Sequence, residues 1–174
     1  MNKLITSAVF VLGGLWFLSS CLFVVDQRQF ALVFALGEIK RVVKEPGLYF
    51  KLPQPLQNIV FLEKRILTID TPDADRFITK EKQNVVVDTY VKWRIEDAKL
   101  FYTSVAGRVA SANDRISRAL RDGLNNEIAT RTVNDVISGE REEVMEKVTQ
   151  RVAVDAEQIG VKIVDVRLRK VDFA

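Results

Sequence analysis

Hydrophobic positions run without interruption near the N-terminus. From Leu4 to Val25 the chain has twenty-two positions and no charged side chain. Because a helix rises about 1.5 Å per residue, this segment would extend roughly 33 Å, enough to cross a hydrocarbon core about 30 Å thick. The pattern therefore predicts a single transmembrane helix over residues 4–25, after a short tail at residues 1–3. The anchoring side chains that we predict for it are Leu4, Phe10, Trp16, Phe17, Leu22, Phe23 and Val25.

Two other interpretations of this segment stay open. A cleaved secretory signal has a shorter apolar stretch, roughly 7–15 residues, before a small-residue cleavage site. Here the run is longer, and large residues follow the small pair Ser19 and Ser20. A lipoprotein signal would make Cys21 an acylated residue, because residues 18–21 have the shape of a lipobox, although four more apolar residues follow Cys21. The basic residues on the two sides of the segment leave its orientation undecided.

After the apolar segment, the pattern changes to short apolar runs and alternation with period two, which is typical of β-strands. Short strands are predicted near residues 29–34, 39–43, 48–52, 59–62 and 66–69. The clearest strand runs from Val85 to Ile95. Its odd positions are apolar apart from Thr89, whereas Asp88, Lys92 and Arg94 point to the other face. Residues 26–95 are therefore predicted to form a strand-rich subdomain.

A helical period follows. Apolar residues recur every fourth position in two segments, which predicts two amphipathic helices. The residues of the two stripes are Ile116, Leu120, Leu124 and Ile128, then Val144, Val148, Val152 and Ala156. Gly160 is placed to end the second helix, and residues 161–171 alternate again as a closing strand. The order of elements predicts an α+β fold, with a helical subdomain and C-terminal strand over residues 96–174.

The composition of the chain limits the classes of function that it can have. All 23 acidic residues and 25 of the 26 basic residues follow the apolar segment, so the remainder is close to +2 and has no polybasic character that would favour nucleic acid. The chain has no histidine, and its one cysteine lies in the apolar segment. Histidine-dependent nucleophilic and metal sites are thus excluded. We predict no enzyme, no catalytic or metal-binding residue, no cofactor, no nucleic-acid partner and no small-molecule substrate.

Several stretches resemble a known family. An apolar helix followed by FVVDQRQFALVFALGEI and then by EPGLYFKLP (Glu45–Pro53) is similar to the start of an SPFH, or band 7, domain of the stomatin and prohibitin kind. The stretch ADRFITKEKQNVVVDTYVKWRI (Ala74–Ile95) resembles more narrowly the HflC branch of that family. The tail GVKIVDVRLRKVDF (Gly160–Phe173) is similar to the end of the same domain.

The resemblance implies a non-catalytic function. HflC-like proteins are single-pass proteins of the bacterial inner membrane, with a cytoplasmic N-terminus and a periplasmic SPFH domain. With an HflK-like sister subunit they form a large hetero-oligomer that encloses the ATP-dependent FtsH protease and modulates its degradation of membrane proteins. A stomatin-like homo-oligomeric organiser of membrane microdomains, unconnected to FtsH, is the alternative.

Two further expectations follow from the resemblance. Family members continue into a long charged helix, which we expect beyond residue 174. The strand-rich subdomain is expected to lie nearest the membrane lipids, with exposed apolar side chains in contact with the leaflet; packing in the core is the other interpretation of these side chains. The predicted membrane-surface contacts are Leu48, Tyr49, Phe50 and Leu56.

Overall fold

A computed structural model describes residues 7, 12–14, 19–53, 56–70, 75–132 and 141–173. The chain divides into two compact units, Met1–Lys64 and Arg65–Ala174, which we call unit 1 and unit 2. The predicted boundary between the two subdomains lies after Ile95, whereas the two units divide after Lys64. The long strand that ends at Ile95 therefore belongs to the same unit as the helices, because it pairs with the C-terminal strand.

The described strands of unit 1 form a two-stranded ribbon and a three-stranded sheet. The five strands are β1 (Leu22–Val25), β2 (Gln29–Ala35), β3 (Glu38–Val43), β4 (Gly47–Phe50) and β5 (Gln57–Glu63). β1 pairs with β4 in the ribbon, and the sheet has the order β3-β2-β5, with all neighbours antiparallel. One core joins the two layers; its buried members are Phe23, Val25, Ala31, Val33 and Val43.

The predicted helix over residues 4–25 is wrong at its C-terminal end, because Leu22–Val25 form strand β1. Burial alternates along this strand: Phe23 and Val25 are buried, whereas Leu22 and Val24 are exposed. This period-two pattern was hidden because all four residues are apolar. Among the residues that the structure describes, no helix is both long enough and apolar enough to span a bilayer.

Unit 2 is a mixed layer of strands and helices. Its elements are β6 (Leu67–Asp70), β7 (Asp75–Ile78), β8 (Asn84–Ile95), α1 (Ala98–Val105), α2 (Val109–Ala129), α3 (Arg141–Glu157) and β9 (Val161–Phe173). β6 and β7 pair with successive parts of β8, and β9 pairs with β8 over its length, all antiparallel. Strand β8 is therefore the central strand of this sheet.

The core of unit 2 lies between β8 and the helices. The odd positions of β8 from Val85 to Ile95 are buried, as the alternation predicted, and Trp93 stacks obliquely on Phe101 of α1 with ring centroids 6.1 Å apart. Both predicted four-step stripes are also buried in α2 and α3. The predicted strand-rich first half and the helices with a closing strand are thus confirmed as an α+β fold.

Candidate membrane-facing surface

The ribbon of unit 1 presents an apolar face to solvent. Leu22 pairs with Phe50 and Val24 pairs with Leu48, so these four side chains lie on one side of the ribbon. We call them the ribbon face. Their exposed fractions are 45% for Leu22, 68% for Val24, 64% for Leu48 and 60% for Phe50. Four adjoining exposed apolar side chains form a patch of the kind that marks contact with a membrane or another protein.

The opposite side of the ribbon faces the core of unit 1. Tyr49 is partly buried there, and its ring centroid lies 5.8 Å from that of Phe23. The Tyr49 hydroxyl donates a hydrogen bond to the Glu45 carbonyl oxygen at 3.1 Å, and the Arg41 guanidinium lies 5.7 Å from the ring centroid. Tyr49 therefore stabilises unit 1, and its neighbours in sequence, Leu48 and Phe50, form the exposed surface.

The segment after β4 continues the exposed apolar surface. Leu52 and Leu56 are both exposed. The Lys51 amide donates to the Cys21 carbonyl oxygen at 2.7 Å, and the Leu52 amide donates to Gln57 Oε1 at 2.9 Å. These bonds hold the segment beside Cys21, the residue through which the long N-terminal apolar segment leads into β1.

Basic side chains border this surface. Arg41 Nη2 donates to the Phe50 carbonyl oxygen at 3.3 Å, and Lys40 Nζ lies 3.2 Å from Glu38 Oε2. A groove of about 330 Å³ is lined by Val33, Lys40, Arg41, Phe50, Lys51, Leu52 and Gln57. Apolar side chains beside lysine and arginine suit an interface in which acyl chains lie next to anionic headgroups.

The predicted anchor residues differ in whether the structure describes them and in whether they are buried. Leu4, Phe10, Trp16 and Phe17 lie outside the described residues. Of the other predicted anchor residues, Leu22 is exposed, whereas Phe23 and Val25 belong to the core of unit 1.

The predicted membrane-surface contacts fall into two groups. Leu48, Phe50 and Leu56 are exposed, whereas Tyr49 packs against the core. The sequence patterns did not indicate Val24 or Leu52 as surface residues. The exposure of Val24 follows from the alternation of exposed and buried positions in strand β1. Because all four residues of that strand are apolar, this alternation is not visible in the sequence.

Unit 2 carries a second, charged surface. Arg121 Nε donates to Asp75 Oδ2 at 3.1 Å, which ties α2 to β7. Arg115 and Arg118 line a groove of about 380 Å³ together with Asp122 and Asp155, one of these carboxylates from α2 and the other from α3. Alternating charges of this kind suit salt-bridged contact with another folded subunit.

The described residues contain no metal-ligand cluster. Within them, no cluster of three or more histidine, cysteine, aspartate or glutamate side chains is arranged to hold a metal ion. The features that stand out are surfaces, one apolar and one charged, and both are suited to association.

Comparison with known proteins agrees with this description. The model of the family described as "SPFH domain / Band 7 family" matches residues 23–174. "Protein HflC" of Haemophilus influenzae is 34% identical over 183 residues, covering 99% of this chain and 61% of that protein. "Modulator of FtsH protease HflC" of Escherichia coli K12 is 32% identical over 148 residues, covering 81% of this chain and 43% of that protein. The chain thus spans about three fifths or less of the length of these relatives.

Proposed function

Because the chain belongs to the SPFH domain / Band 7 family and is of the HflC type, we propose that it is a non-catalytic membrane scaffold subunit that modulates an FtsH-like ATP-dependent protease. The observation that carries this proposal is the similarity to a protein named as a modulator of FtsH protease, which extends over four fifths of the chain. In this proposal the chain acts by enclosing the protease with an HflK-like partner, and it limits which membrane proteins reach the protease.

The proposal includes a membrane anchor and an orientation. The uncharged run from Leu4 to Cys21 is long enough to contribute most of a bilayer crossing, and it leads directly into strand β1 of unit 1. We propose that the protein is a single-pass protein of a bacterial inner membrane, with its N-terminus in the cytoplasm and the strands of unit 1 and all of unit 2 in the periplasm. The ribbon face, Leu52 and Leu56 then contact the lipids of the adjacent leaflet.

Association between subunits is the second part of the proposal. Anchoring confines neighbouring copies to two dimensions and raises their effective concentration, so weak side contacts suffice for assembly. The charged groove that contains Arg115, Arg118 and Asp155 on α2 and α3 is suited to such side contacts. We propose that this surface meets the HflK-like sister subunit.

Purification of the protein from its native membranes tests this function. The full-length native protein, tagged at its C-terminus and expressed from its own gene, is extracted in a mild detergent and its partners are identified by mass spectrometry. We expect an HflK-like protein and an FtsH-like protease to copurify. An untagged strain and a tagged unrelated single-pass protein are the controls.

A functional measurement accompanies the purification. Deletion of the gene is expected to change the degradation rate of membrane substrates of the protease, and re-expression restores the original rate. Recovery of this protein alone, with substrate lifetimes unchanged, would refute the proposal and would instead favour the stomatin-like homo-oligomeric organiser. A hydrolytic activity of the purified protein, separated from the protease, would refute the non-catalytic role.

A further inference from the structure

A short, rigid turn joins β7 to β8 in unit 2. The Lys82 amide donates to the Thr79 carbonyl oxygen at 2.9 Å, and the Thr79 amide donates to the Gln83 carbonyl oxygen at 3.0 Å. The Thr79 hydroxyl adds two bonds, because it donates to the Gln83 carbonyl oxygen at 3.2 Å and accepts from the Gln83 amide at 3.3 Å. Only 3% of Thr79 is exposed. The turn is therefore fixed from its buried side.

The turn is also tied to the helices. The Lys80 amide donates to the Arg131 carbonyl oxygen at 3.1 Å, just after α2 ends. The Arg131 guanidinium lies 3.7 Å from the Glu127 carboxylate of α2 and 3.3 Å from the Glu143 carboxylate of α3. Residues that are already held in one conformation lose little entropy on binding, so this turn is preorganised for contact with a partner.

The outer side chains of the turn are charged. Lys80, Glu81 and Lys82 are all exposed, and within the residues that the structure describes none of them takes part in an ion pair. We call these three residues the charged tip. Lys82 has a φ of +62°, a left-handed conformation in which glycine or asparagine is the usual residue of such hairpins. Lysine suits this conformation less well than either, so the geometry of the turn does not account for its presence.

An exposed isoleucine lies beside the charged tip. Ile78, the last residue of β7, is 58% exposed and lies on the sheet face opposite to the buried Phe77. Arg76 is exposed on the same face as Ile78, because it is two residues away along the strand. The hairpin thus presents one apolar side chain next to three basic side chains and one carboxylate. An apolar contact with a charged rim is the usual composition of a protein–protein interface.

We infer that the β7–β8 hairpin is a docking element for an acidic surface of another protein. Lys80 and Lys82 contact carboxylates of the partner. Glu81 contacts a basic group between these carboxylates, and Ile78 packs against an apolar side chain. The hairpin surface differs from the charged groove on α2 and α3, because Ile78 lies on the face of the sheet away from the helices. The inference does not depend on the membrane anchor or on the identity of the protease.

The order of charges argues for a protein and against a lipid surface. An anionic bilayer attracts lysine side chains but repels the Glu81 carboxylate that lies between them. A protein surface can place a basic group opposite Glu81 and a carboxylate on either side of it, so that all three charges of the tip are matched. Because Arg76 adds a further positive charge, the matching surface is acidic overall.

Photo-cross-linking in native membranes tests the inference. The full-length protein, expressed from its own gene, receives p-benzoylphenylalanine in place of Asn84, an exposed residue that pairs with Ile78. After irradiation of intact cells, mass spectrometry identifies the cross-linked segment of the partner. We expect one protein, different from this chain, cross-linked through a segment rich in aspartate and glutamate. The same label in place of Lys162, which pairs with Arg94 at the far end of β8, should not reach that segment.

Charge variants separate binding from folding. Lys82→Asn suits the left-handed position, so we expect the thermal midpoint of the protein to stay the same or rise. The cross-link from position 84 should nevertheless fall about tenfold, because an interfacial charge pair is lost. Lys80→Glu, at a position without positive φ, should reduce the cross-link at least as much. Lys82→Arg keeps the charge and should keep the cross-link, and Lys99→Asn, which removes another exposed lysine, is the matched control.

A final experiment reverses the charges on both sides of the contact. Lys82→Glu should abolish the cross-link, and replacement of a carboxylate in the mapped partner segment by lysine should restore it. Equal cross-linking in Lys82→Asn and the natural protein would overturn the inference, and so would products with lipid alone or with a second copy alone. Copurification of the HflK-like and FtsH-like proteins is measured separately. If they copurify while no cross-link forms, the docking element is refuted and the proposed function stands.

Discussion

Gly160 lies directly against Asp97 in unit 2. The Gly160 carbonyl oxygen accepts hydrogen bonds from the backbone amides of Asp97 and Glu96, each at 3.0 Å. A Cβ atom on Gly160 would stand 2.5 Å from the Asp97 carbonyl oxygen and 2.8 Å from the Phe101 amide nitrogen. The turn after α3 is thereby joined to the start of α1, and glycine is required for the close approach.

Replacing Gly160 by alanine is expected to destabilise unit 2. Its φ of +72° lies in the left-handed region, and the added methyl group meets backbone atoms that cannot move independently. We expect the free energy of unfolding to fall by about 2–4 kcal/mol. Denaturant unfolding followed by circular dichroism measures the change.

Gly123→Ala is the matched control. Its Cβ would meet Val148 Cγ1 at 3.5 Å, an ordinary contact, within helix α2. Because alanine favours helix over glycine by about 1 kcal/mol, this variant should be unchanged or more stable. Equal losses for the two variants would contradict the role assigned to the close approach at Gly160.

Asp97 also caps helix α1, and this contribution can be measured separately. Its Oδ1 accepts hydrogen bonds from the amides of Lys99 at 2.9 Å and Leu100 at 3.0 Å. Asp97→Ala removes both bonds and is expected to cost about 1 kcal/mol of stability. Asp97→Asn keeps an acceptor oxygen and should retain most of it. If Asn destabilises as much as Ala in urea unfolding, the cap is not the source of the effect.

The periodic parts of this fold could be predicted from the sequence. The four-step stripe through Ile116 and Leu124, and the alternation through Val91 and Trp93, each mark one buried face with polar residues on the other. Because the two faces differ in polarity, the helical or strand period can be recognised in the sequence. Gly160, which is predicted to end the second helix, has a positive φ, a conformation that few residues other than glycine tolerate.

Strand β1 could not be predicted in the same way. Leu22 to Val25 continue an apolar run, and both faces of the strand are apolar, so no contrast reveals the period of two. The strand becomes evident only from its partner β4, more than twenty residues later. The same pairing decides that Tyr49 faces inward and Phe50 outward, a distinction that composition alone does not contain.

The ion pairs around Glu143 predict a pH dependence. The Lys147 ammonium, at 2.7 Å, and the Arg131 guanidinium, at 3.3 Å, hold the pKa of the Glu143 carboxyl below its usual value. A carboxyl whose pKa is lower in the folded state contributes stability above its unfolded-state pKa, and this contribution disappears as the pH falls through the folded-state pKa. Glu143 is well exposed, so solvent screening keeps the contribution small.

Glu143→Gln is therefore expected to flatten the loss of stability on acidification. Thermal midpoints measured from neutral pH to below the ordinary glutamate range should differ between the variant and the natural protein at neutral pH and converge in acid. Glu146→Gln, which replaces a carboxylate that faces Gln150 at 3.4 Å, is the control. A constant difference at every pH would show that the charge of Glu143 is not responsible. Arg131 also lies 3.7 Å from Glu127, so its own replacement would disturb both α2 and α3 and is less informative.

Two phenylalanines on opposite faces of the ribbon separate folding from membrane contact. Phe23 is buried beside Val25 and the partly buried Tyr49, whereas Phe50 is exposed on the ribbon face. Phe23→Ala leaves a cavity and is expected to cost about 3 kcal/mol, seen as faster hydrogen exchange of the β2 amides. Phe50→Ala removes little buried surface, so its cost should stay within about 1 kcal/mol.

Membrane contact should depend more on Phe50 than on Phe23, which is the opposite of the order expected for stability. In vesicles with brominated lipids, a fluorophore at Leu52→Cys reports on the surface next to Phe50. Phe50→Ala is expected to reduce its quenching, because an exposed aromatic side chain that contacts lipid is lost, while the β2 amides exchange at the original rate. Unchanged quenching in Phe50→Ala, together with normal folding, would exclude the ribbon face from membrane contact. Faster exchange of β2 in Phe50→Ala would instead assign Phe50 a structural role, against its position on the exposed side of β4.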